Sequence, residues 1–156
     1  MDDLDCLVRN ANNFNIAKFM TNEFPHPYTN ENGKAFIEFA TKDNPIHIFA
    51  IDINGQAIGG IGIHLQSDLH GKNAELGYWL GETFWRQGII TRAINEIIDF
   101  AFKTYDINRI FARPFETNIA SQRVLEKSGF KLEGKFEKTL FKNGEYLDEM
   151  IYAIRR

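Results

Sequence analysis

Residues 73–102 read NAELGYWLGETFWRQGIITRAINEIIDFAF and hold the clearest pattern in the chain. Up to Leu80 the stretch alternates, with Glu75, Gly77 and Trp79 on one face and Leu76, Tyr78 and Leu80 on the other, which predicts a strand. From Ile89 the spacing becomes helical. Ile89, Ile90, Ala93, Ile94, Ile97, Ile98, Ala101 and Phe102 make one apolar stripe, and Arg92, Asn95, Glu96, Asp99 and Lys103 take the opposite side. A stripe this wide and rich in isoleucine predicts a helix packed on a sheet. Gly88 stands at the helix entrance, where Ser, Thr or Asp would cap better. A helix N-terminus carries unpaired N–H groups and a partial positive charge, so a glycine there lets an anion, most simply a phosphate, approach the backbone.

Working outward, Leu4, Leu7 and Val8, then Phe14, Ile16, Ala17, Phe19 and Met20, form an imperfect helical stripe that Pro25 and Pro27 of FPHPYT stop. Helical spacing resumes in NENGKAFIEFAT. IHIFAIDI and AIGGIGIHLQ predict two strands around a turn at Asn54, Gly55 and Gln56. After the central helix, NRIFARP predicts a strand ended by Pro114. TNIASQRVLEKSGF predicts a short helix, N-capped by Thr117 or Asn118, with Gly129 as the left-handed residue at its end. FEKTLF and YLDEMIYAI flank a second Asn-Gly turn at Asn143 and Gly144. The expected class is α/β (α+β), a single sheet with helices on its faces and one right-handed parallel crossover through the central helix.

At 156 residues, without a repeat or a linker-like tract, the chain reads as one domain, 1–156. Leu4, Leu7 and Val8 are interrupted by Asp2, Asp3, Asp5 and Arg9, so no signal peptide is expected, and no apolar run is long enough to span a bilayer. Cys6 is the single cysteine, which excludes an intrachain disulfide and fits a cytoplasmic location. A net charge of −3 argues against a nucleic-acid partner, and no membrane partner is expected. His26, His47, His64 and His70 show no metal-ligand spacing, so no metal is expected. The 14 phenylalanines are dispersed and read as core.

No Gly-Lys-Ser/Thr follows Gly88, which excludes a Walker loop, and the junction lacks a G-x-G-x-x-G pattern. Arg86-Gln87-Gly88-Ile89-Ile90-Thr91, behind Tyr78-Trp79-Leu80 and ahead of a long amphipathic helix, resembles the acyl-CoA pyrophosphate loop of the GNAT N-acetyltransferases. Asn118-Ile119-Ala120-Ser121 and Leu125-Glu126-Lys127-Ser128-Gly129-Phe130 resemble the second signature of that family, N-x-x-S followed by L-x-x-x-G-F. With AELGYWL and LEGKF, the likeness is closest to the RimJ/RimL-type branch, which includes acetyltransferases of ribosomal-protein N-termini. It runs in order over residues 4–154. Two departures stand out. Trp85 and Ile90 replace the first and last positions of the family loop Q/R-x-x-G-x-G/A, and Ile90 is expected to narrow the pyrophosphate seat. Family members also carry a strand before the first helix, whereas this chain starts almost at that helix, so a shorter sheet edge or one covered by a partner is expected.

The resemblance implies a GNAT-like single central sheet, mixed and mostly antiparallel, with helices on both faces. It implies acetyl-CoA as cofactor and acetyl transfer to a primary amine, of a protein N-terminus or a small molecule, by direct attack in a ternary complex. Backbone N–H groups of Gln87, Gly88, Ile89, Ile90 and Thr91 would face the pyrophosphate, with Arg86 and Arg92 as charge candidates. Tyr78, Trp79 and Leu80 would pair with the pantetheine amides, a backbone N–H of the same strand would hold the oxyanion, and Asn118 would hold the pantetheine arm. Glu75 matches a catalytic base, acting directly or through water, and equally fits a solvent-facing residue of an alternating strand. A carboxylate beside an apolar strand is expected to gain basicity by desolvation. Ser121 would protonate the departing thiolate, with Tyr146 and Tyr152 as alternative acids. Phe24, His26 and Tyr28 are acceptor-pocket candidates or a packed aromatic loop, and Asp148 and Glu149 would favour a cationic acceptor. A monomer or homodimer is expected. A catalytically idle acyl-CoA-binding or protein-interaction module of the same fold is the alternative.

Overall fold

The computed structural model describes residues 3–156. Six strands hydrogen-bond in the order β1-β2-β3-β4-β6-β5. They are β1 Ile48–Ile53, β2 Gln56–Leu65, β3 Asn73–Leu80, β4 Arg109–Ala112, β5 Lys131–Lys142 and β6 Glu145–Arg155. β3 and β4 run parallel, while β1 with β2, β4 with β6, and β5 with β6 are antiparallel, so the sheet is mixed and mostly antiparallel as expected. The chain divides into two compact units: one runs up to Gly62 and resumes over Tyr78–Ile89, and the other takes Ile63–Gly77 and Ile90–Arg156.

The first unit contains α1 Leu4–Ala11, α2 Phe14–Ala17 and α3 Asn30–Thr41. The stripe from Leu4 to Met20 is two helices because the backbone leaves helical geometry at Asn12 and Asn13, and Asn13 then caps α2 by accepting from the Asn15 N–H. Thr29 and Asn32 cap α3 reciprocally. Leu7, Ala11, Ile16, Tyr28 and Trp79 are buried together, with Val8, Met20, Phe24, Phe36 and Ile37 packed on them. The β1–β2 hairpin turns at Asn54 and Gly55, with φ 54° and 76°. Both being left-handed, the turn matches the twist of the flanking strands. β2 comes so close to the backbone of β3 that a Cβ on Gly59 would collide with the Trp79 carbonyl oxygen, and one on Gly60 would lie 2.8 Å from the Trp79 indole nitrogen.

The second unit is built on α4 Ile89–Thr104, which enters it at Ile90, and α5 Ile119–Lys127. Ile94, Ile97, Ile98 and Ala101 are the buried residues of α4. Asn118, not Thr117, caps α5, accepting from the Ser121 N–H at 3.2 Å, and Gly129 takes the left-handed conformation (φ 87°) just past it. β5 starts at Lys131, earlier than FEKTLF suggested, so LEGKF belongs to the strand. Its ladder with β6 slips between Leu132 and Gly134 and between Phe136 and Leu140. It is a terminal strand of the sheet, almost wholly exposed, with Lys131, Lys135, Lys138 and Lys142 spaced along it.

The phenylalanines are not the core the sequence suggested. The largest fully buried side chains are Ile58, Ile63, Ile94, Ile98, Ile110 and Leu125, each stabilising by about 1.5–3 kcal/mol. Phe130 is buried, but Phe14, Phe39, Phe49, Phe136 and Phe141 are exposed. β-branched isoleucine fills strand and helix contacts with less lost side-chain freedom.

Candidate active site

In the first unit, β3 ends at Leu80, a single 3-10 turn spans Glu82–Phe84, and the chain then reaches Gly88. Gly88 has φ 76°, and a Cβ built there meets no atom within 4 Å. The glycine therefore serves a left-handed backbone that faces open space. Arg86 is also left-handed, with φ 63°, so Gln87 lies between two left-handed residues. Such turns direct backbone N–H groups toward one concavity, the usual backbone seat for an anion. The residues present thus fit a phosphate-bearing ligand.

The loop is anchored on both sides. Trp85 donates its indole N–H to the Leu80 carbonyl at 2.8 Å, and the Gln87 amide donates to the Thr83 carbonyl at 3.0 Å. The Gly81 N–H donates to the Ile58 carbonyl at 2.8 Å. Glu82 accepts from Asn13 at 2.6 Å and from Asn15 at 3.0 Å, and these bonds hold its carboxyl below the usual carboxylate range. The departure at Trp85 thus has a structural purpose that sequence reasoning missed. Arg86 and Arg92 are exposed, and Ile90 and Thr91 are half-buried in the first turn of α4.

The acceptor-pocket candidates also belong to the first unit. The Phe24 ring lies tilted 5.1 Å from that of Tyr28 and meets the Trp79 ring edge-on at 5.7 Å, and burial pushes the Tyr28 phenol up. Tyr28 and Trp79 are core residues. His26 is exposed, its ring 5.8 Å from that of Phe14.

In the second unit, Glu75 does not stand in apolar surroundings as the sequence suggested. Arg113 Nε and Nη2 donate to Glu75 Oε1 and Oε2, each at 2.9 Å, because Arg113 follows directly on β4, whose parallel register sets Glu75 opposite Phe111. Arg113 Nη1 also lies 3.7 Å from Glu149 Oε1 on β6. Hydrogen bonding to Glu75 is the main cause that raises the Arg113 pKa. The only sequence signal was opposite charge on strands whose register was unknown. The parallel pairing of β3 and β4 stops at Glu75, whereas β3 runs on to Leu80.

Asn118 and Ser121 meet through the cap of α5. Tyr152 is buried in the same unit and donates to Glu126 Oε1 at 3.1 Å, and burial first, then this carboxylate, pushes its phenol up. Tyr146 is exposed at the β5–β6 turn, its ring 5.0 Å from Phe141. Asp148 and Lys135 pair at 3.1 Å, and Lys135 also holds Glu116. Among the described residues, no group of three or more His, Cys, Asp or Glu is arranged to hold a metal, and no helix is long and apolar enough to cross a membrane.

Comparison with known proteins gives this geometry a context. The chain is 34% identical over 99 residues to the uncharacterized N-acetyltransferase YoaA of Bacillus subtilis, covering 64% of this chain and 55% of YoaA. It is 33% identical over 106 residues to the ribosomal-protein-serine acetyltransferase of Escherichia coli, covering 68% of this chain and 59% of that protein. The chain thus spans little more than half the length of these curated relatives. Among solved structures, the microcin C7 self-immunity acetyltransferase MccE, in complex with acetyl-CoA and AMP, superposes with a TM-score of 0.80 at 28% identity, over 99% of this chain and 87% of MccE. The model of the acetyltransferase (GNAT) domain matches residues 1–131. With an ordered strand, phosphate-type loop and helix inside that match, the chain belongs to the GNAT acetyltransferase family.

Proposed function

We propose that residues 1–156 act as one acetyl-CoA-dependent N-acetyltransferase domain, working in the cytoplasm as a monomer or homodimer. The observation that carries this reading is Gly88, left-handed and open at the entrance of α4, in a chain of this family. MccE was solved with acetyl-CoA, which supports the same ligand here.

The backbone N–H groups from Gln87 to Thr91, the Thr91 hydroxyl and the Arg86 charge would hold the pyrophosphate. Tyr78, Trp79 and Leu80 would pair with the pantetheine amides, and Asn118 would hold the arm. When bound, acetyl-CoA supplies the thioester carbonyl that the amine attacks.

An ammonium acceptor must first lose a proton, and Glu75 takes it, directly or through one water. The Arg113 fork occupies two lone-pair sites, and an ionised carboxylate has about four. Ser121 returns a proton to the departing sulfur. Phe24, His26 and Tyr28 line the way for the acceptor, a protein N-terminus or a small amine. The likeness to the ribosomal-protein-serine acetyltransferase of Escherichia coli supports a protein acceptor.

The test is calorimetric titration with acetyl-CoA and separately with desulfo-CoA, followed by CoA release in the presence of an unblocked serine-initiated peptide and of spermidine. Binding followed by release with either amine supports the reading. Binding without release over a broad amine panel favours an idle acyl-CoA-binding module, and absence of binding removes both.

A further inference from the structure

We propose that Glu82 is a positioning residue for the acceptor: its carboxylate fixes the break between α1 and α2, and with it Phe14 and the loop of His26 and Tyr28, against the turn that leads to Gly88. The inference rests on the reading above for what the acceptor and the cofactor are, and every group it uses lies within the first unit. Glu82 opens the single turn between β3 and Gly88. Its carbonyl accepts from the Trp85 N–H at 3.1 Å, so its backbone belongs to the cofactor loop. Its carboxylate is bonded to a different segment. Oε2 accepts from Asn13 Nδ2 at 2.6 Å, and Oε1 accepts from Asn15 Nδ2 at 3.0 Å.

An ionised carboxylate only accepts, so each asparagine must turn its amide nitrogen toward it. Local bonds fix both amides that way round. Asn13 Oδ1 accepts from the Asn15 N–H at 2.8 Å, and Asn15 Oδ1 accepts from Lys18 Nζ at 3.1 Å. Asn12 and Asn13 stand where the backbone leaves helical geometry, with ψ 67° and 122°, so no helical ladder runs through the break and side-chain bonds hold it. The neighbours of these asparagines reach the aromatic loop. Asn12 Oδ1 accepts from the Tyr28 N–H at 3.0 Å. Phe14, 55% exposed, has its ring 5.8 Å from that of His26. Residues 12–15 are therefore bonded both to the acceptor-pocket candidates and to Glu82, and Phe14 joins those candidates as an exposed apolar surface. The cofactor loop itself has further anchors, from Trp85 to Leu80, from Gln87 to Thr83 and from Gly81 to Ile58. Losing the Glu82 carboxylate bonds thus displaces the acceptor segment and leaves the loop in place.

The test is a swap of donor and acceptor in the full chain. Asn13→Asp keeps an oxygen for the Asn15 N–H, so the cap of α2 survives, but it sets a carboxylate against Glu82. Adding Glu82→Gln supplies an amide that donates to the new carboxylate, which restores the bond with its direction reversed. The acceptor is the serine-initiated peptide or spermidine, whichever supports CoA release by wild type, at saturating acetyl-CoA. Asn13→Asp is expected to raise the acceptor KM about 3–10-fold with a smaller change in kcat, as loss of one such bond allows. The calorimetric Kd for acetyl-CoA should stay within about twofold, and the double variant should recover most of the acceptor KM. If Asn13→Asp does not fold, Glu82→Ala carries the same expectation for KM and Kd without the swap. An acetyl-CoA Kd that rises as far as the acceptor KM, or a double variant no better than Asn13→Asp, overturns the inference. An unchanged acceptor KM in Asn13→Asp does so too, and leaves the enzymatic reading standing if wild type binds acetyl-CoA and releases CoA. Wild-type protein that does neither removes the enzymatic reading, and this inference with it.

Discussion

The Trp85 indole nitrogen lies 2.8 Å from the Leu80 carbonyl oxygen, so the side chain that departs from the family loop fastens that loop to the end of β3. Trp85→Phe keeps the ring and removes the donor, a loss of about 0.5–1.5 kcal/mol. We expect the calorimetric Kd for acetyl-CoA to rise about 3–10-fold, as one such bond allows. An unchanged Kd would mean that the loop holds its shape without this bond.

Gly88→Ala separates backbone strain from ligand approach. With no atom within 4 Å of the new Cβ, the folded protein should lose only the left-handed cost, about 1–2 kcal/mol. Acetyl-CoA affinity should fall by at least about tenfold, because the methyl group enters the space assigned to the phosphate. Calorimetry and thermal melting on the same sample test both statements, and a variant that melts lower yet binds normally would put the phosphate elsewhere.

Gly59 and Gly55 should respond differently to alanine. At Gly59 the new methyl group strikes the Trp79 carbonyl oxygen and crowds Leu80, and overpacking of this kind costs roughly 1–3 kcal/mol or more. At Gly55 it meets no atom within 4 Å and only the turn is strained. Urea midpoints should rank Gly59→Ala well below Gly55→Ala; the reverse order would mean that β2 and β3 are less closely apposed.

Glu133 provides a pH dependence of stability. Hydrogen bonds from Arg109, at 3.1 Å and 2.6 Å, are the first cause holding its carboxyl below the usual 4.5, and Arg155 adds to them. A depressed folded value means that the contribution is complete above pH 4.5 and is lost as pH falls through the folded pKa. Glu133→Gln should therefore melt below wild type at neutral pH. The gap should narrow only under acid conditions, from about pH 4.5 downward. Melting curves from about pH 7 to about pH 3 check the sign, and a gap that widens under acid would contradict it.

Much of the fold was legible because it rests on local pattern. The alternation of NAELGYWL gave β3 to the residue, the isoleucine stripe gave α4, and two Asn-Gly pairs gave the hairpins. Gly88 was legible as a glycine at the start of the helical stripe, whereas its left-handed backbone and the open space beside it are visible only in the structure. What the sequence hid depends on register and packing. Arg113 reaches Glu75 only through the parallel pairing of Glu75 with Phe111, which no spacing within one strand reveals. The exposed Phe136 and Phe141 were misread for the same reason, since hydrophobicity alone does not tell a terminal strand from a central one.

That terminal strand carries a consequence for the behaviour of the protein in concentrated solution. β5 offers twelve residues of backbone, with Leu132, Phe136 and Phe141 exposed, which is the kind of edge that recruits further copies into aggregates. Four lysines and two register slips stand along it, and each opposes the addition of another strand. The lysines and slips thus form a barrier to edge-to-edge pairing that lies outside the proposed chemistry, and replacing the exposed lysines by apolar residues should favour association through this strand while the core remains intact.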